Sequence, residues 1–128
     1  MKSAYVDTSV LVAITLGETG HEGLVSRLRD FDQLFSSNLL EAELRSALKR
    51  EANEEIEEGP LTWIWWVYPI RPLTREFEMV LEEGYLRGAD LWHLACALHL
   101  REDVKEVSFL SLDERQIAVA GLLGFSLE

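Results

Sequence analysis

Two strand candidates in this chain end on a hydroxyl and a carboxylate, and that layout limits the folds open to it. Ala4-Tyr5-Val6 reads as a short buried strand, followed by Asp7, Thr8, Ser9 and an apolar helical segment from Val10 to Leu16. Near the other end, Val107-Ser108-Phe109-Leu110-Ser111 leads through Leu112 into Asp113 and a helical pattern that reaches about Leu123. Strands alternating with helices predict one domain over residues 1–128. It is an α/β fold of three α/β/α layers, with a parallel sheet of about four to five short strands. In such sheets the functional crevice lies outside the carboxyl ends of the strands. Asp7 belongs at that end, and so does Asp113. The competing reading is that Asp7, Thr8 or Ser9 only caps the next helix, as such side chains commonly do.

Between these stretches the spacing predicts a helix over Glu18 to Asp30 and a strand at Leu34-Phe35-Ser36. A further helix starts on Asn38 with Glu41 as a capping-box pair and runs to about Arg50. Leu40, Leu44, Ala47 and Leu48 share one face of it, and Glu43 lies along the same stripe. A carboxylate there is costly unless it is paired, hydrogen-bonded or on a metal, so Glu43 either reaches solvent, Arg45 or Lys49, or serves a site. The Glu-rich run 51–58 reads as a solvated helix end and loop, stopped by Gly59-Pro60. Trp63, Trp65 and Trp66 crowd one stretch. Core packing takes one or two of them, and the remainder forms an apolar patch for self-association or a partner.

Val67 to Ile70 is the next strand candidate, with Pro69 marking an edge position. Thr74 caps a helix to about Leu86, with Phe77, Val80, Leu81 and Leu86 facing inward. Asp90 opens a helix to Leu100 that is apolar nearly all round and therefore central. Asp90 as a plain N-cap is the alternative reading, and Asp113 with Gln116 likewise fits a capping box. Gly124 ends the last helix, and Phe125-Ser126-Leu127 reads as a short final strand.

The formal net charge is −11, from 23 acidic and 12 basic residues. That balance favours cations and basic partners and opposes unaided approach of a polyanion. Cys96 is the only cysteine, which excludes an internal disulfide and a zinc–thiolate cluster. No stretch resembles a signal peptide or a membrane span, and a cytoplasmic protein that does not engage membranes is expected. His93 and His99 fall on the core-type helix, so no serine or cysteine nucleophile with a histidine partner is evident. Four carboxylates brought together repel one another. Hard divalent cations with oxygen ligands relieve that repulsion, which points to magnesium or manganese and to metal-activated water as nucleophile.

The quoted residues resemble the PIN domain, specifically the small single-domain VapC-type toxins. The stretches that carry the resemblance are Tyr5-Val6-Asp7-Thr8-Ser9-Val10-Leu11, Glu43-Leu44, Arg87-Gly88-Ala89-Asp90-Leu91-Trp92-His93-Leu94-Ala95 and Phe109-Leu110-Ser111-Leu112-Asp113. The resemblance implies an endoribonuclease using one or two Mg2+ or Mn2+ ions, held in check by a cognate antitoxin and forming a homodimer. By position, Asp7, Glu43, Asp90 and Asp113 match the family's acidic metal-site residues. Ser9 and Ser111 match its supporting hydroxyls. Arg45, Lys49, Trp63 and Trp66 are the candidate contacts to RNA or to a partner, with Arg50 close by on the same helix. A PIN-like scaffold without catalysis, working through its Trp63–Trp66 surface, is the alternative.

Overall fold

The structure, a computed structural model, describes residues 1–52 and 59–128. Most of the Glu-rich run 51–58 therefore lies outside the described residues. Strand β1 (Ser3–Val6) is followed by helices α1 (Thr8–Thr15) and α2 (His21–Arg29), strand β2 (Gln33–Ser37) and helix α3 (Leu39–Ala52). A 3₁₀ turn (Gly59–Trp63) leads into β3 (Ile64–Val67), then α4 (Thr74–Glu83), α5 (Gly88–Leu100), β4 (Val107–Leu110) and α6 (Glu114–Leu122).

Among the described residues the sheet has four strands in the order β3-β2-β1-β4, and every pairing is parallel. The chain steps outward from β1 to β2 to β3, then crosses back to place β4 on the other side of β1. Parallel crossovers are right-handed, so the reversal of direction sends α1–α3 to one face of the sheet and α4–α5 to the other. The side chains of β1 record this. Ala4 and Val6 join Val10, Leu11, Leu40 and Leu44 in one cluster, while Tyr5 joins Leu94, Phe109 and Val119 in the second. Alternate residues of a strand point to opposite faces, and β1 is buried on both. The expected three-layer α/β/α architecture is what the chain forms.

Several boundaries differ from the sequence expectation. The third strand is Ile64–Val67 rather than Val67–Ile70. Its register with β2 runs from Leu34↔Ile64 to Ser37↔Val67, and it stops before Pro69, which has no N–H for a ladder. Its edge position is as expected. Trp66 packs against the core, while Trp63 and Trp65 stay 41% and 58% exposed. Thr74 is the first residue of α4 rather than its cap. That helix ends at Gly84, and Leu81 is exposed because Val80, its neighbour around the helix, takes the inward position. Phe125-Ser126-Leu127 makes a single bridge, Ser108↔Ser126, rather than a strand. Helix α2 starts only at His21, after Gly20 at φ 86°. No described helix is long and apolar enough to cross a membrane.

An ion pair fastens α4 on the α5 side. Arg71 donates from Nη1 to Glu76 Oε1 at 3.0 Å and from Nη2 to Oε2 at 2.6 Å. Those bonds, with the charge of Arg71 and Arg75, outweigh burial and hold the Glu76 carboxyl down at about 2. A carboxylate whose folded pKa lies below its ordinary value, roughly 4.3, stabilises the fold above that value and loses the contribution as pH falls toward 2. Glu76→Gln is expected to cost about 2 kcal/mol at neutral pH. In urea unfolding the gap from wild type should narrow as pH is lowered from about 4.3. A gap that stays constant with pH would contradict this.

Candidate metal centre

Asp7, Glu43, Asp90 and Asp113 line one cleft of about 680 Å³ at the carboxyl end of the sheet, together with Thr8, Ser9, Glu18, Ser46 and Arg50. Four segments far apart in the chain deliver the acids. β1 and β4 run side by side, so the residues after them meet, and α3 and α5 reach the same end from opposite faces. Where an open sheet reverses its strand order a crevice forms. Here the reversal falls at β1 and β4.

Asp7 stands at the N-cap position of α1 but makes no capping bond. Instead its Oδ2 accepts from Ser9 Oγ at 2.7 Å and from Ser111 Oγ at 2.9 Å. Both serines also tie the β4–α6 connection down, since Leu112 N donates to Ser9 Oγ and Asp113 N to Ser111 Oγ, each at 3.0 Å. Asp113 does cap its helix: Oδ1 accepts from Arg115 N and Gln116 N. The return bond of a capping box is missing, because Ser111 has taken the Asp113 N–H. Gln116 is fully buried, with neither amide atom hydrogen-bonded among the described residues. Asp90 is not the N-cap of α5, a position held by Arg87, but sits in its first turn.

Glu43 resolves its awkward place on the α3 stripe by turning inward. Its Oε1 accepts from Thr8 Oγ1 at 2.8 Å and lies 2.8 Å from His93 Nε2. Neither Arg45 nor Lys49 receives it. Arg45 Nε pairs with Glu41 at 2.8 Å, where the expected capping box would have sent Glu41 back along the chain. Burial raises the Glu43 carboxyl, but the hydrogen bonds with His93 and Thr8 outweigh it, and the net shift is downward. Asp90 moves the other way. Burial raises it first, and the charges of Asp7 and Asp113 raise it further, with the nearby Gln116 amide opposing.

Among the described residues, Asp7 Oδ1, Glu43 Oε2 and Asp113 Oδ2 take no hydrogen bond, although the second oxygen of each acid is held. Carboxylates fixed by one oxygen and open at the other suit a hard cation with oxygen ligands. Cys96 is buried in the core cluster of the opposite face and offers no thiolate here. Among the described residues, the acidic group whose ligand atoms lie within 4.8 Å of one another is Glu76, His99 and Glu102, and no three of the cleft acids come that close. Guanidinium charge already fills that place, with Arg71 and Arg75 on Glu102 at 2.8 and 2.6 Å and Arg71 on Glu76.

The candidate contacts lie elsewhere. Arg45, Lys49, Trp63 and Trp66 do not line the cleft, whereas Arg50, one turn along α3 from Ser46, does. Sequence reasoning missed Tyr5, Thr8 and His93 as neighbours of the acids. Two spacings carried the signal: Tyr5 shares a strand face with Asp7, two residues on, and His93 follows Asp90 by one helical turn.

The sequence matches the PIN domain over residues 4–122, and the chain belongs to that family. PIN domains are a nuclease family whose members typically depend on a metal. Comparison with curated proteins and with solved structures returned no match.

The raised Asp90 carboxyl has a measurable consequence. A group whose folded pKa lies above its unfolded one, roughly 3.9 for aspartate, weakens the fold once pH rises past that value. Metal-free Asp90→Asn is therefore expected to melt higher than metal-free wild type at pH 7. The advantage should fade below about pH 4. A lower melting temperature for Asp90→Asn at pH 7 would show that the repulsion is already relieved in the metal-free protein.

Proposed function

We propose that this chain is a divalent-metal-dependent endoribonuclease of the VapC type, the toxin of a toxin–antitoxin pair, acting in the cytoplasm. The observation that carries this reading is the gathering of Asp7, Glu43, Asp90 and Asp113 around one cleft, with one oxygen on each of three taking no hydrogen bond among the described residues. Asp7, Glu43, Asp90 and Asp113 would hold one or two Mg2+ or Mn2+ ions. Such an ion, when bound, lowers the pKa of a water and stabilises a leaving phosphodiester oxygen. Ser9 and Ser111 fix the orientation of Asp7 and, through it, the distance between the β1 and β4 ends of the site. Thr8 does the same for Glu43.

The charge of −11 bears on how RNA is met. Among the described residues Arg50 is the cation on the cleft wall, and its Nε is 2.7 Å from Glu51, an exposed pair of small worth that a phosphate can displace. A basic antitoxin segment suits the overall charge, because complementary charge speeds encounter and fixes register. Homodimer formation is supported by the edge strand: residues 59–70 carry no charged side chain, and Trp65, Tyr68 and Ile70 are 58%, 61% and 97% exposed. Two copies that repel elsewhere meet there at least electrostatic cost.

The test is cleavage of a mixed structured RNA pool by purified protein with Mn2+, against the same protein in EDTA and against Asp7→Asn. Cutting that needs Mn2+ and falls at least about a hundredfold in Asp7→Asn is expected, since one ligand of a small metal site is lost. Manganese binding without cutting of any RNA would favour the non-catalytic scaffold instead.

A further inference from the structure

His93 is 1% exposed, on the most deeply buried helix, and both of its ring nitrogens are engaged by side chains rather than by backbone carbonyls. Nδ1 lies 2.7 Å from the Tyr5 hydroxyl. That hydroxyl is itself fully buried and accepts from the Ser37 backbone N–H at 3.1 Å. Its proton needs an acceptor, and Nδ1 is the one within reach. Tyr5 therefore donates to Nδ1, and the ring's own proton sits on Nε2, 2.8 Å from Glu43 Oε1. Thr8 Oγ1 donates to that same oxygen and lies 3.2 Å from Nε2. Oε1 thus takes two donors, while Oε2 takes none among the described residues.

We infer that His93 is a positioning residue for the cation site: through a hydrogen-bond chain anchored on Tyr5 and the β2 backbone, it clamps one oxygen of Glu43 and presents the other. The inference rests on the reading of Glu43 as a metal ligand. Histidine partners of carboxylates usually appear the other way round, with a carboxylate orienting a metal-bound imidazole. Here the imidazole stands behind, too buried and too fully engaged to bind a cation. A glutamate side chain has freedom to lose on binding, and a ligand fixed in advance binds more tightly than one that must be ordered. A histidine that merely fills the core would leave Glu43 free to point to solvent. Its bond to Oε1 does the opposite.

The experiment is calorimetric titration of Mn2+ into the metal-free full chain, with a melting curve for every variant. His93→Ala is expected to weaken Mn2+ binding about 10–100-fold, the usual cost of losing a residue that orients a ligand. His93→Gln, whose amide N–H reaches the place of Nε2–H, should recover most of the affinity. Truncating a buried ring puts the fold at risk, so Tyr5→Phe asks the same question without opening a cavity. It removes only the hydroxyl that fixes the tautomer, and a loss of about tenfold is expected. In a Glu43→Gln background, His93→Ala should add no further loss, because its effect passes through Glu43. Folded His93→Ala and Tyr5→Phe that bind Mn2+ as wild type does, or losses that simply add in the double variant, would overturn the inference. Wild type that binds no Mn2+ would overturn the metal-centre reading itself, and the positioning role would fall with it.

Discussion

Mutual repulsion between four carboxylates is the constraint around which the rest of the molecule is arranged. Gathered around one cleft, such charges oppose one another, and the Asp90 carboxyl is raised by burial first and by the charges of Asp7 and Asp113 next. The protein answers by holding three of the acids with short-range donors that do not neutralise them. Two serine hydroxyls hold Asp7, helix N–H groups hold Asp113, and a threonine with a histidine holds Glu43. Contrast this with Glu76 and Glu102, where Arg71 and Arg75 cancel the charge outright. One cluster is built as a structural ion-pair network. The other keeps its negative charge, and that is what a cation requires.

The scaffold for that charge is β1. Buried on both faces and paired on both edges, it fixes Tyr5 and Asp7 on one line: one residue supports the histidine, the other faces the cleft. Because α5 packs across the sheet on the Tyr5 side and α3 packs on the other, Glu43 and His93 reach each other only around the carboxyl end of β1. Stability and site geometry therefore share residues. A change at Tyr5 touches the core, the tautomer of His93 and the orientation of Glu43 together.

Much of this was legible in the sequence. Short apolar runs ending on Asp7 and near Asp113 located the central strands, because burial on both faces leaves a plain apolar signature. Glu43 stood out because a carboxylate on a buried stripe demands a reason. Other features were hidden for physical reasons. The third strand slid by three residues because β-prone residues continue on either side of it and only pairing with β2 sets the register. Asp113 both caps its helix and lines the cleft, two placements that spacing alone presents as rivals. His93 was concealed by its helix, which is apolar nearly all round and so gives no face to read. Its partners Tyr5, Thr8 and Glu43 come from other elements, and only the tertiary structure brings them within reach.

The central claim is that the cleft of four acids, and not the arginine-bound cluster, takes the divalent cation. Crystals soaked in Mn2+ and measured near the manganese absorption edge would locate the ion directly. The account predicts an anomalous peak within about 2.0–2.3 Å of Asp7 Oδ1 and of at least one open oxygen on Glu43, Asp90 or Asp113. A fully occupied peak at Glu76, His99 and Glu102, with none between Asp7 and Asp113, would contradict it.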